Sequence, residues 1–253
     1  MTYEINLSVP AQYRPALKEL YFRSVRKNLF SLFARKDRYK DMVEGFRQRY
    51  KTGQLYGKYL DGVIDWYLNP LYHCEAEFSL LPDTPETFAL DLGCGAGSVG
   101  YWLRNNDYQW SYMGVDLIEE AKTFFKPLSN ATFLQKNVKK LELSDLPQKA
   151  DIIFSVNMCD YIPNLENLLA KLHDLSTPGA RLVIIDGHNA PFWNRNSIGN
   201  MHSTKTMKTL LERQNWHIKK IFKTSVFNVA NIPILEISHG FLCTKTYEHI
   251  RTS

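Results

Sequence analysis

The run Asp91-Leu92-Gly93-Cys94-Gly95-Ala96-Gly97 decides how this chain is read. It follows the apolar triplet Phe88-Ala89-Leu90 and precedes Val99-Gly100-Tyr101-Trp102-Leu103, so it reads as strand, tight turn and helix. Glycines at 93, 95 and 97 supply backbone that takes positive φ and lets a ligand approach with no Cβ in the way. The helix beyond opens on free N–H groups and a positive dipole end.

A turn of this kind serves several nucleotides. Gly95-Ala96-Gly97-Ser98-Val99-Gly100 satisfies G-x-G-x-x-G, the dinucleotide pattern. Two features count against a dinucleotide. The Asp91 carboxylate stands just before the glycines, unfavourable beside a pyrophosphate but favourable beside a cationic sulfonium amino acid. The turn also arrives only after a long helical region. A P-loop is excluded because no G-K-[ST] follows. The next block, Tyr112-Met113-Gly114-Val115-Asp116, is a strand ending in an acid 19 residues beyond Gly97. A carboxylate there can accept both hydroxyls of a ribose.

Outward from these blocks, short apolar runs alternate with amphipathic stretches. The strands expected are Thr87–Leu92, Ser111–Asp116, Thr132–Gln135, Asp151–Val156, Arg181–Asp186, His217–Val226 and Glu236–Thr246. Helices are expected over Leu165–Leu175, capped by Asn164, and near Lys205–Arg213, with Thr177-Pro178-Gly179 ending the first. Alternation of this kind predicts an α/β fold: a Rossmann-like, doubly wound, mostly parallel seven-stranded sheet. Residues from about 10 to 80 repeat apolar positions at helical spacing (Leu17, Leu20, Tyr21, Val25, then Leu55, Tyr59, Val63, Trp66), and two prolines at 82 and 85 end that region. The expected organisation is a helical N-terminal cap over 1–82 and a ligand-binding domain over 83–253.

The 253 residues, 44% hydrophobic and 23% charged, suit a soluble globular protein. No apolar run is long enough to span a bilayer and no secretory signal precedes Pro10, which together predict a cytoplasmic protein without membrane contact. Cys74, Cys94, Cys159 and Cys243 are scattered, so neither a zinc site nor a disulfide scaffold is expected. Net charge is +5, unevenly placed: Arg14 to Lys58 holds 13 Lys/Arg against four acids, leaving the remainder mildly acidic. Such a basic segment is either a solvated helical face or the footprint of a polyanion.

Residues 87–186 resemble the class I S-adenosylmethionine-dependent methyltransferases. "LDLGCGAGSVGYWL" is similar to that family's first motif and "YMGVDL" to its second. "FLQKNVKKL" stands where the family has its adenine loop, and "ADIIFSVNMCDYIPNLENLLAKLHDLSTPGARLVIID" resembles its fourth and fifth strands with the helix between. The resemblance implies S-adenosyl-L-methionine as cofactor. Gly93, Gly95 and Gly97 would line its methionine moiety, with Cys94 between them, and Asp91 would hold the ammonium group. Asp116 would take the ribose, and Leu117, Asn137 and Val138 would flank the adenine. Asn157, at the end of the fourth strand, completes the set. Asn137 departs from the family pattern, which usually has an acid there; its amide oxygen can still accept from an exocyclic amine.

For the acceptor, Asn157-Met158-Cys159-Asp160-Tyr161 lacks the [DNS]-P-P-[YF] of adenine- and glutamine-N-methylating relatives and looks like the corresponding segment of small-molecule methyltransferases. The loop after the fifth strand (His188, Asn189, Trp193, Asn194, Arg195, His202) lies where ligands bind in such folds. His202 and His188 are the candidate catalytic residues, abstracting or orienting the acceptor proton. Tyr56, Tyr59, Trp66, Tyr67 and Tyr72 are candidates to wall the acceptor pocket, and Arg47, Arg49 and Lys51 to meet an anionic acceptor or the cofactor carboxylate. Three readings stand: transfer to an O or N atom of a small molecule, transfer to RNA held by the basic N-terminal segment, and a non-catalytic subunit. Intact Asp91 and Asp116 speak against the last.

Overall fold

A computed structural model of the chain describes residues 2–9, 11–13, 38–52, 68–125, 130–187, 202–229 and 232–246. Its strands are β1 (Tyr3–Ser8), β2 (Phe88–Leu92), β3 (Ser111–Asp116), β4 (Ala131–Gln135), β5 (Ala150–Val156), β6 (Ser176–Gly187), β7 (Trp216–Val229) and β8 (Ile232–Lys245). The α-helices that matter are α1 (Arg38–Lys51), α2 (Asn69–Tyr72), α3 (Glu75–Phe78), α4 (Ser98–Asn105), α5 (Leu165–Asp174) and α6 (Thr204–Arg213).

The strands form one sheet in the order β1-β7-β8-β6-β5-β2-β3-β4. All pairs are parallel except those of β8, which runs antiparallel to β6 and β7. Chain order reverses between β2 and β5, which pair directly. The crevice at their carboxyl ends is the topological switch point, where open α/β sheets bind ligands.

Every residue of β2 is buried, as expected for a central parallel strand covered on both faces. Alternation divides the core. Phe88, Leu90 and Leu92 pack with Leu165, Leu168, Met207 and Leu211 of α5 and α6. Ala89 packs on the opposite face with Val99 and Trp102 of α4 and with Leu71 and Phe78 of α2 and α3. In α5 the leucines at 165, 168, 169 and 172 line one helical face, and the Asn164 side chain accepts the Asn167 N–H at 3.3 Å. Ser203 does the same for α6, accepting from Thr206 N–H at 3.1 Å.

Two expectations are corrected. The sheet has eight strands rather than seven, because Tyr3–Ser8 adds in parallel to β7 from Tyr3↔Lys220 to Ser8↔Ser225. Leu7 of that segment and Leu68, Leu71 and Phe78 pack in the same core as Ala89. Lys220 reaches back to Glu77 at 2.9 Å, which fastens α3 to the same edge. Thr177-Pro178-Gly179 also does not turn between helix and strand; β6 already begins at Ser176, with Gly179 at φ +76°.

Candidate active site

The glycine turn leaves β2 at the switch point. Gly93, Gly95 and Gly97 have φ of +64°, +51° and +80°, the left-handed region that a Cβ disfavours. Space is as restrictive as conformation. A Cβ on Gly93 would fall on the side chain of Met158, and one on Gly95 would lie 2.8 Å from the Tyr50 hydroxyl. The turn is thus flanked by the segment after β5 on one side and by α1 on the other. Gly93 and Cys94 donate their N–H groups to Val115 O at 2.8 and 3.2 Å, tying the turn to β3.

Both expected acids are buried beneath it. Asp116, 9% exposed, accepts the Gly95 N–H on Oδ2 at 2.9 Å and the Ile118 N–H on Oδ1 at 2.8 Å. Burial raises its pKa, and those two N–H groups oppose the rise. A carboxylate offers about four acceptor positions; with the Leu117 N–H also facing this one, at least one remains for a ligand hydroxyl. Asp91, 1% exposed, accepts the Tyr112 hydroxyl at 2.5 Å. Burial pushes its pKa up to about 7; the Tyr112 bond works against this and the Asp116 charge adds to it. The arrangement fits a ligand with a cationic amino group and a ribose: a buried acid that gains by meeting a positive charge, a second with free lone pairs, and a turn with no room for side chains.

The remaining expected cofactor residues are less uniform. Val138 is buried and Leu117 is 38% exposed. The Asn137 oxygen accepts the Lys139 N–H at 3.0 Å and so caps its own 3₁₀ turn; the amide keeps one acceptor position and its NH₂. Cys94 is buried against Gly114, and burial drives its thiol pKa well up. Asn157 is exposed at φ +55° and donates its N–H to Ile185 O at 2.7 Å, a left-handed conformation at the mouth of the crevice.

On the acceptor side His202 is half-buried just before α6, and burial lowers its pKa, favouring neutral imidazole. His188, Asn189, Trp193, Asn194, Arg195, Tyr56, Tyr59, Trp66 and Tyr67 lie outside the described residues. Tyr72 packs edge-on against Trp102 of α4, ring centroids 5.5 Å apart. Of the three basic residues expected to meet an anion, Arg47 and Lys51 each approach Glu120 at 3.4 Å, and Arg49 lies over the Phe46 ring. These contacts hold α1 against the turn after Asp116. A surface cavity of about 600 Å³ lies between that turn and β4, lined by Glu120, Phe125 and Phe133 among others; none of the expected site residues lines it.

Sequence reasoning missed Tyr50, Tyr112 and Met158. Tyr112 was findable, since Ala89↔Tyr112 pairing puts its side chain on the same face as Asp91. Tyr50 comes from a distant segment with no local signal, and Met158, inside the segment read for the acceptor, has no sequence signal for its contact with Gly93.

Residues 83–231 match the family described as "Methyltransferase domain". The chain belongs to that family, the class I S-adenosylmethionine-dependent methyltransferases, whose cofactor is S-adenosylmethionine. A curated relative, trans-aconitate 2-methyltransferase of Deinococcus radiodurans, is 29% identical over 108 residues, 42% of this chain; the match spans about 40% of that relative's length. The fold is similar to Burkholderia thailandensis 1,6-didemethyltoxoflavin-N1-methyltransferase (TM-score 0.59, 16% identity, 85% of this chain and 92% of that one). It is also similar to a Haloferax volcanii methyltransferase solved in complex with the activator Trm112 (TM-score 0.59, 14% identity, 80% and 98%).

Proposed function

We propose that the chain transfers a methyl group from S-adenosylmethionine to an O or N atom of a small-molecule acceptor. The observation that carries this reading is the cover on the glycine turn: α1 lays Tyr50, 8% exposed, against Gly95, whose N–H is held by Asp116. A turn covered by a helix suits a small acceptor. The same helix turns Arg47 and Lys51 to Glu120, away from service to a phosphate backbone.

Bound at this turn, the cofactor supplies an activated methyl on a cationic sulfur. The protein's part is placement, and holding two reactants in line is worth about 7–11 kcal/mol. We assign Asp91 to the ammonium group, Asp116 to the ribose hydroxyls, Gly93, Cys94, Gly95 and Gly97 to the amino-acid moiety, and Leu117, Asn137, Val138 and Asn157 to the rim. His202, neutral near pH 7, orients the acceptor, and we assign His188, outside the described residues, to the same task. The relatives suggest first acceptors: the Deinococcus enzyme is named for trans-aconitate and the Burkholderia one for 1,6-didemethyltoxoflavin. The test is methyl transfer from labelled S-adenosylmethionine to a panel of small acids, phenols, amines and heterocycles, with bulk tRNA alongside. Label entering a small molecule supports the reading; label entering only RNA overturns it.

A further inference from the structure

At the carboxyl ends of β5 and β6 lies a group of side chains that the cofactor site does not use. Asp186, last but one in β6, is 0% exposed, and neither of its oxygens has a hydrogen bond of ordinary geometry among the described residues. The Met158 and Cys159 N–H groups and the Cys159 thiol face it without closing such bonds. Asp160, in the turn after β5, is 3% exposed; the Gly187 N–H faces it, and its Oδ1 also has no partner among the described residues. The same holds for Nε2 of His202, just before α6. Asp186 stands opposite His239 across the β6–β8 pair, and His239 Nδ1 is 3.2 Å from the hydroxyl of Thr204, two residues beyond His202. Three segments therefore bring polar atoms without partners to one edge of the sheet.

A buried carboxylate whose facing donors do not close good hydrogen bonds is unfavourable, and two that repel each other more so. Such groups persist where something else completes them. The candidates are a proton shared between them and a ligand bringing N–H or O–H donors. Burial raises the pKa of both acids, and the Asp160 charge raises that of Asp186 further, so the pair tends to keep one proton. The pair is also beside the cofactor turn: Met158, two residues before Asp160, is the side chain that meets Gly93.

We propose that Asp160 and Asp186 form the acceptor-recognition pair of this enzyme, a buried carboxyl dyad that takes an acceptor presenting an N–H or O–H donor. The ionised member accepts that hydrogen bond and then the proton, while the electron pair of the N–H or O–H bond stays on the acceptor atom. The Cys159 thiol is the other titratable group facing the dyad, and His239 of β8 stands opposite Asp186 in the strand register. An acceptor offering only an anionic oxygen at this point is repelled, so the dyad disfavours a carboxylate such as the trans-aconitate for which the Deinococcus relative is named. This rests on the methyltransferase reading and names the chemistry of its acceptor side.

The test uses the full chain saturated with S-adenosylhomocysteine and titrated with three probes of one size: benzylamine, phenol and benzoate. Benzylamine and phenol are expected to bind and benzoate not to. Asp186→Asn and, as an independent variant at the less buried position, Asp160→Asn are expected to weaken both binders at least tenfold while S-adenosylhomocysteine affinity stays within twofold. Phenol binding should also weaken as the pH falls and the second carboxyl protonates. Benzoate binding as well as phenol, neither donor binding, or unchanged affinities in folded Asn variants would overturn the dyad. If S-adenosylhomocysteine itself fails to bind, the cofactor reading falls instead, and the same titrations on the free chain judge the dyad alone.

Discussion

The hydroxyl of Tyr50 rests on Gly95: a single added methyl at Gly95 would lie 2.8 Å from that oxygen, with the ring carbon behind it 4.0 Å away. Helix α1 and the glycine turn are therefore fitted at the level of one atom. Tyr50 is also held by Phe124, ring centroids 5.9 Å apart, and by Ile118 and Ala121, so the helix is packed on the turn after Asp116.

From this fit, Gly95→Ala is expected to weaken S-adenosylhomocysteine binding at least tenfold, combining positive-φ strain of about 1–2 kcal/mol with the collision. Tyr50→Phe in the same chain removes the colliding oxygen and should recover part of the loss. Calorimetry on the two single variants and the double variant reads this directly; strictly additive losses would show that the contact is not felt.

Asp91 gives the pH dependence. Its carboxyl, raised to about 7 in the folded chain from 3.8, keeps a proton that the unfolded chain releases. Its contribution to stability is greatest below the unfolded value and declines as the pH rises toward 7. A cationic ligand reverses the preference. Binding of S-adenosylhomocysteine at pH 6 should release close to one proton, seen as a buffer-dependent binding enthalpy, and affinity should fall about tenfold per pH unit below 7. Asp91→Asn should abolish the proton release and bind more weakly.

Gly114 tests the packing under the turn. A Cβ there would meet the Phe125 ring and come within 2.7 Å of Cys94 Sγ. Overpacking of this kind costs about 1–3 kcal/mol. Gly114→Ala should lower the melting temperature by several degrees, measured by thermal unfolding, and leave the far-ultraviolet circular dichroism spectrum unchanged.

His202 tests the acceptor side. Its pKa is depressed by burial, which favours the neutral imidazole near pH 7. His202→Ala should reduce methyl transfer by about 10²-fold through loss of acceptor alignment, with S-adenosylhomocysteine affinity unchanged in calorimetry. Unchanged turnover would remove it from the site.

How much of this was legible in the chain itself follows from the range of each signal. The strand–turn–helix around Asp91, the acid at the end of β3 and the Asn164 cap are local patterns, and the structure has them within a residue or two of the expected positions. The strand Tyr3–Ser8 has no such signal. Its six residues pair with β7 more than 200 positions later, and only that partner makes them a strand. The site divides the same way. Its glycines and acids could be read from spacing, whereas Tyr50 on Gly95 and Met158 on Gly93 are contacts between segments far apart in sequence. Asn137 was read as a ligand contact; its oxygen also caps the turn it begins, an alternative that asparagine always offers the backbone.

The central claim is that a buried, carboxylate-led glycine turn holds an adenosyl amino acid. Titration of the purified chain with S-adenosylhomocysteine in a calorimeter, with NADH titrated in parallel, tests it most directly. The account predicts saturable binding of one S-adenosylhomocysteine per chain and none of NADH. Uptake of NADH with indifference to S-adenosylhomocysteine would contradict it.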